Sequence, residues 1–352
     1  MCSTVILGSD SRKLLAENYD YLLDHGLVAV NLKGSIKENG RQAGDKAIRW
    51  EVRHGSVSFN QFSLELPVSG MNDKGLAIAL SWHHGGDFGE DPKYARLSAL
   101  QWIQYQLDVN QTIDEVVASL SSIRPKKEGI PLHYTLLDAK GNSLLLEFID
   151  GNPIIHKNKQ FPFLTNSTYH ECLTIAQQPS ALSDFENSSS QGRFLQLYQR
   201  YHSYQLENCD ATNAFKLLEL IKQADQPVKR PANHSTTNFP WETTQTAKTK
   251  TVWNIVFSPS ENCIWFKTQE NQAIRKIDLS ELNFEKSAKY QTLDINTPYQ
   301  GNVVGHFIDY KMQQNRNLLH QSTRLIEMPE FERDALIQLI DQLYQTRQMQ
   351  LS

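Results

Sequence analysis

The opening stretch MCSTVIL, Met1 to Leu7, sets a thiol directly in front of a run with the β-branched and apolar content of a buried strand. Chain termini are usually polar and poorly tied down. Cys2 at the head of such a strand therefore asks for a reason. Removal of Met1 is expected, because a small second residue is normally accepted by the trimming enzyme. Cys2 then carries both a thiol and a free α-amine. A thiol titrates at about 8.5 and an α-amine at about 7.7–8.0, so the terminal residue brings its own proton acceptor. This is the logic of an N-terminal nucleophile with sulfur in place of oxygen. From position alone, Cys2 is equally readable as a small residue after the start codon.

Working outward, the first third is strand-rich, with runs at 5–8, 14–17, 27–32, 48–52, 56–58 and 62–66 separated by Gly, Asp, Asn and Lys breaks. GMNDKG (70–75) reads as a tight turn into the strand LAIALSW. Two helices follow, over 94–107 and from Thr112, where TIDE has the form of a capping box. Two strands then flank a hairpin turn at Lys140-Gly141-Asn142, and a third covers 153–156. Helices are expected at 193–200 and 211–223, a long irregular loop at 227–249, and strands at 252–257, 263–267 and 273–278. A terminal amphipathic helix is read at about 329–347. The order of strands, helix pair, strands, helix pair, strands predicts an α+β fold: two antiparallel sheets stacked face to face with helices on both outer faces, in one domain over 1–352.

Composition narrows the function. With 39% hydrophobic and 21% charged residues the 352-residue chain can bury a sizeable core, and a net charge of −4 argues against nucleic-acid binding. No apolar stretch reaches membrane-spanning length, so no membrane partner is expected. No basic and apolar leader pattern is read at the start, and the default location is cytoplasmic. The four cysteines form no CxxC pair, so neither zinc nor a disulfide framework is indicated. No cofactor is expected.

Three further stretches bear on Cys2. In LLAENYDY, Asp20 falls where a hairpin partner of the first strand ends, and it could orient the terminal amine and thiol; a turn or cap explains it too. GMNDKG suits any turn. In LTNS (164–167), Asn166 could donate to a developing oxyanion, or simply make an Asx-turn.

Taken in order, Met-Cys, Asn-x-Asp, GMNDKGL and LTNS resemble the choloylglycine hydrolase family, the bile salt hydrolases and penicillin V acylases of the N-terminal-nucleophile superfamily. IRWEVRHGSVSFN, ALQWIQYQLDVNQTIDEVVASL, LLLEFIDGNPIIH and TVWNIVF look like the penicillin V acylase branch of Gram-negative bacteria. The resemblance implies a four-layer αββα sandwich. It implies Cys2 as nucleophile with its α-amine as base, Asp20 holding the nucleophile, and Asn166 donating to the oxyanion. Trp82 stands where bile salt hydrolases carry an oxyanion-hole asparagine; its backbone N–H is the expected donor and its ring, with Tyr21, the expected wall of the acyl pocket. The implied reaction is cleavage of a linear amide through a thioester. Its small-molecule substrate is an N-acyl amide of the penicillin V, conjugated bile acid or N-acyl homoserine lactone type. Assembly as a homotetramer is also implied, with the terminal helix as a contact or a cap on the core.

Two departures stand out. Glu17 replaces a family arginine, which predicts an anion beside the thiolate or a substrate contact facing a cationic group. The family's second arginine has no evident counterpart: Val252 appears at the matching place, with Lys250, Lys229 and Arg230 as candidate substitutes. These departures motivate the alternative of a weakened member that binds an acylated ligand or a protein partner. His83 and His84 are expected at the pocket rim, within the loop HHGGDFGEDP, with His83 as a substrate contact. A metal set of His83, His84 and Asp87 lacks suitable spacing.

Overall fold

The structure is a computed structural model that describes residues 2–9, 12–39, 47–64, 66–127, 131–178, 185–206, 210–223, 226–227, 248–323 and 337–338. Strand β1 (Ser3–Leu7) pairs antiparallel with β2 (Leu14–Tyr21), Ser3 lying opposite Asn18 and Thr4 opposite Glu17. These two strands sit in a sheet of eight strands among the described residues. Its order runs Phe163–Leu164, β1, β2, Lys248–Ser258, Cys263–Thr268, Arg275–Asp278 and Gly301–Asn302, with Gln226–Pro227 paired to Lys248–Ser258. A second sheet, of nine described strands, has Leu132–Leu137, Ala77–Trp82, Pro67–Asn72 and Ser56–Asn60 at its centre.

Side chains alternate along a strand, so each face of the first sheet has its own core. Cys2, Ile6, Leu15, Tyr19 and Tyr21 point toward the second sheet and join Val57, Phe59, Phe257 and Phe266 in the interior. Val5, Leu7, Leu14 and Ala16 point the other way, onto Phe194, Leu197, Phe215 and Leu218 of helices. Those helices are α3 (Tyr169–Ala176), α4 (Ser190–Leu206) and α5 (Ala211–Leu220); α1 (Ala99–Val109) and α2 (Ile113–Ser119) cover the second sheet. The result is the expected αββα sandwich. Close approach of α1 is set by Gly70, where a Cβ would lie 2.7 Å from Val57 O and 2.9 Å from Leu107 Cδ1.

Several local readings hold in detail. Thr112 and Glu115 form the capping box, each bonding the other's backbone N–H. Gly75 has φ +79° in the GMNDKG turn, a left-handed conformation that favours glycine. Others are corrected. The helix expected from residue 94 begins at Ala99, because Ser98 Oγ accepts from Gln101 N–H as N-cap; Ala95–Leu97 instead pairs with Ile123–Pro125. The strand expected at 62–66 is Pro67–Asn72, with proline at its first residue. Helices at Tyr169–Ala176 and Met312–Ser322 were not evident from periodicity. Apart from 337–338, the helix expected over 329–347 lies outside the described residues, as does most of the 227–249 loop. Among the described residues no helix is long and apolar enough to cross a membrane.

Candidate active site

Cys2 sits at the head of β1 and is 1% exposed. Its Sγ–H donates to the Asp20 backbone carbonyl across a 3.9 Å contact. The pairing of β1 with β2 thus brings Cys2 and Asp20 together through 18 residues of hairpin. The Asp20 side chain points toward the helix layer, where Oδ1 accepts from Thr251 Oγ1 at 2.5 Å. Thr251 stands at a register shift between β2 and Lys248–Ser258; such a bulge re-aims side chains.

The residue that organises the site is one that sequence reasoning missed. Arg193, in the first turn of α4 and fully buried, donates from Nη1 to Cys2 O at 2.9 Å and also to Ser3 Oγ. Its Nη2 donates to Asn166 Oδ1 at 2.7 Å, and Nη1 lies 3.7 Å from Asp20 Oδ2. One guanidinium therefore touches the three residues singled out in the sequence. Only the planar fork of arginine reaches several acceptors at once. An Arg opening the motif GRF after a Ser-rich loop was the available signal. A helix start gave no reason to place it beside residue 2.

Asn166 is held on every polar group. Its N–H donates to Ser190 Oγ at 2.9 Å, its carbonyl accepts from His84 N–H at 2.8 Å, and its Nδ2 donates to Trp82 O at 2.9 Å. Because Oδ1 accepts from Arg193, the amide orientation is fixed, and Nδ2 keeps a second N–H. Trp82 thus meets Asn166 through its carbonyl.

Burial dominates the electrostatics. The Cys2 thiol is pushed up to about 12 by desolvation, with the positive chain terminus opposing and Asp20 and Glu17 adding to the rise. Burial also raises Asp20, against the pull of the chain terminus and Arg193. Arg193 is lowered by burial and supported by Asp20, yet an arginine stays charged.

Glu17 shares the inward face with Cys2 and is fully buried, with the Ser69 hydroxyl beside its carboxyl. Burial pushes it up to about 8, Ser69 opposing and Asp20 adding to the rise. The expectation of an anion beside the thiolate is therefore corrected: at neutral pH this carboxyl is mostly uncharged. Among the candidate cations, Lys250 pairs with Tyr21 at the end of β2 and Val252 is buried in the core, while Lys229 and Arg230 lie outside the described residues. Arg193 supplies the cation instead.

Tyr21 is buried rather than open. It stacks on Tyr19 at 5.9 Å and meets Phe62 edge-on at 5.5 Å, while Tyr19 stacks on Trp253 at 4.8 Å. The four rings line the inward side of the Cys2 end of the sandwich.

His83 is also corrected. It is fully buried, not at a rim, because the chain still pairs past Trp82: His83 N–H donates to Pro131 O at 2.8 Å. His84 is exposed, and Asp87 ion-pairs with Lys127 at 3.4 Å, so the three do not assemble. His83 instead joins His133 and Glu147, whose ligating atoms lie within 4.8 Å of one another. These donor types suit zinc. Yet the two rings are stacked, 4.6 Å apart with planes at 12°, so their lone pairs run side by side and do not converge as a tetrahedral ion requires.

The sequence matches the family described as "Linear amide C-N hydrolases, choloylglycine hydrolase family" over residues 2–203. Penicillin V acylase of Pectobacterium atrosepticum is 26% identical over 306 residues, with 77% of this chain and 80% of that protein covered. Among solved structures, penicillin V acylase from Agrobacterium tumefaciens superposes with a TM-score of 0.68 at 23% identity, covering 88% of this chain and 98% of that one. A conjugated bile acid hydrolase from Clostridium perfringens gives 0.66 at 15% identity, covering 86% and 98%.

Proposed function

Because this chain belongs to the choloylglycine hydrolase family and is thus an amidohydrolase of linear C–N bonds, we propose that it works through Cys2 as an N-terminal thiol nucleophile on an aryl-acyl or other N-acyl amide, penicillin V being the leading candidate. The observation that carries this reading is the reach of Arg193, from one buried guanidinium to the Cys2 carbonyl, Asn166 Oδ1 and Asp20.

The chemistry starts once Met1 is gone. The α-amine of Cys2 takes the thiol proton, and the Sγ electron pair attacks the acyl carbon. The carbonyl pair moves onto oxygen, where the spare Asn166 Nδ2–H is the available donor. Collapse breaks the C–N bond, the ammonium returns its proton to the departing nitrogen, and a thioester remains on Cys2. Water activated by the same amine hydrolyses it, restoring the thiol. Burial raises the Cys2 thiol and disfavours its thiolate. A base on the same residue is the shortest route for its proton. Asp20 orients the amine, and Arg193 holds Cys2 and Asn166 in one frame.

The aryl-acyl preference is proposed from the name of the Pectobacterium relative; the Tyr19, Tyr21, Phe62 and Trp253 rings are buried against one another and assign no open acyl pocket. Both reasons for a weakened, binding-only protein lose force, since Glu17 is mostly uncharged at neutral pH and Arg193 provides a cation.

The test is turnover by Met1-free protein of phenoxyacetyl penicillin, glycine- and taurine-conjugated bile acids, and N-acyl homoserine lactones, beside Cys2→Ala. Hydrolysis lost in Cys2→Ala supports the reading. Turnover that survives Cys2→Ala, or none on any N-acyl amide, overturns it.

A further inference from the structure

Directly behind Asn166 lies a buried carboxylate that no step above uses. Glu147, on the strand Ser143–Ile149, is 1% exposed. His156 Nε2 bonds Oε2 at 2.9 Å, while His83 Nε2 contacts Oε1 at 3.2 Å and His133 Nδ1 stands 3.6 Å from it. The backbone N–H of Tyr169 donates to Oε1 at 3.0 Å. Burial pushes this carboxyl up, but the three histidines outweigh it and hold Glu147 well below the usual carboxylate range.

The two backbone segments that grip Asn166 both lead back to this one group. On one side, Trp82 O accepts from Asn166 Nδ2 and His84 N–H donates to Asn166 O, with His83 between them on Glu147. On the other, Thr165 O accepts from His133 Nε2 at 2.8 Å, and Tyr169 N–H, three residues past Asn166, bonds Glu147 directly. A carbonyl only accepts, so Nε2 of His133 carries the proton toward Thr165 O, while its Nδ1 stands 3.6 Å from Glu147 Oε1, beyond hydrogen-bond distance.

We propose that Glu147, acting through His83 and His133, is a positioning residue for the amidase site: it sets where Asn166 stands by tying both flanking segments to one buried carboxylate. This rests on the reading of Asn166 as oxyanion donor. A donor of that kind stabilises the transition state only when it is aimed at the developing charge, so a shift of Asn166 lowers kcat while leaving KM largely alone. The stacked rings of His83 and His133 argue for this hydrogen-bonded role over an ion.

The experiment compares His133→Gln, which keeps a donor of similar reach toward Thr165 O, with His133→Leu, which removes it; Glu147→Gln, with fewer acceptor sites, serves as a third variant. Each is measured for kcat and KM per Cys2 titrated by a cysteine probe, so that unfolded protein does not count. Expected is a loss in kcat of ~10-fold or more for His133→Leu and Glu147→Gln, the scale of one or two misplaced hydrogen bonds, with KM within about twofold and His133→Gln within about threefold of the parent. Crystal structures should show Asn166 displaced in His133→Leu and in place in His133→Gln. Equal loss in both His133 variants, an unmoved Asn166 in His133→Leu, or stoichiometric metal in the purified protein would overturn the proposal. If the parent cleaves no N-acyl amide, the proposed activity fails, while the crystal structures still decide whether the cluster places Asn166.

Discussion

Arg193 Nη2 donates to Asn166 Oδ1 at 2.7 Å, and that single bond decides which end of the amide is left to donate. An asparagine free to flip would offer oxygen as often as nitrogen. Held by Arg193, it offers only N–H.

Arg193→Lys should keep the charge and lose the fork. A lysine ammonium reaches one or two of the acceptors now shared by Cys2, Ser3, Asn166 and Asp20. Expected is a kcat loss of ~10–100-fold with a modest fall in Tm, whereas Arg193→Ala strands a buried Asp20 and costs ~3–5 kcal/mol of stability. Thermal unfolding beside steady-state kinetics separates the two variants.

Asn166→Ala removes the proposed oxyanion donor and one Arg193 acceptor together. By comparison with other oxyanion-hole deletions, kcat should fall ~10²–10³-fold with little change in KM. Asn166→Asp keeps the Arg193 contact and replaces the donor with an acceptor, so it should be at least as inactive. A loss confined to KM in either variant would place Asn166 in substrate binding alone.

Glu17 makes stability depend on pH with a defined sign. Its ordinary value of 4.5 is raised to about 8 by burial. The folded state therefore binds more protons than the unfolded state in that window. The Glu17 contribution is fully present below about 4.5 and is lost progressively as pH rises toward about 8. Glu17→Gln removes this term, so the variant should gain on the parent by up to ~3 kcal/mol between pH 4.5 and 7. Denaturant midpoints for both proteins across pH 4.5–8.5 test it; parallel curves would show that Glu17 is not buried in its neutral form.

Glu17→Arg should not restore a family-like site. Glu17 is fully buried, and the longer cation would be overpacked and desolvated there. Expected is a destabilised protein with activity below that of Glu17→Gln. Higher activity would show that the segment opens in solution.

The fold was legible because its strands carry their own evidence: β1, β2 and the 132–149 hairpin alternate or run apolar and break at Gly and Asn. Local chemistry misled where it competed with periodicity, as when Ser98 stopped a helical pattern that otherwise ran on from residue 94. Of the site, the sequence reading picked out Cys2, Asp20 and Asn166, which a hairpin and a short pair with Phe163–Leu164 bring together. Arg193 was not legible, since its partners Asn166 and Cys2 lie 27 and 191 residues away and only the packing of α4 on the first sheet joins them. His83 was misread for a related reason. Consecutive His83 and His84 look alike in sequence, but just past the end of the strand at Trp82 the first is buried against Glu147 and the second is exposed as the chain turns.

The central claim is that Cys2, freed of Met1, takes the acyl group. Rapid-quench intact mass spectrometry of the protein mixed with phenoxyacetyl penicillin, followed by peptide mapping, tests it most directly. The account predicts a chain without Met1 that transiently gains one phenoxyacetyl group, mapped to Cys2, labile to hydroxylamine and absent in Cys2→Ala. A protein that turns over the substrate while retaining Met1, or that carries its acyl group elsewhere, would contradict it.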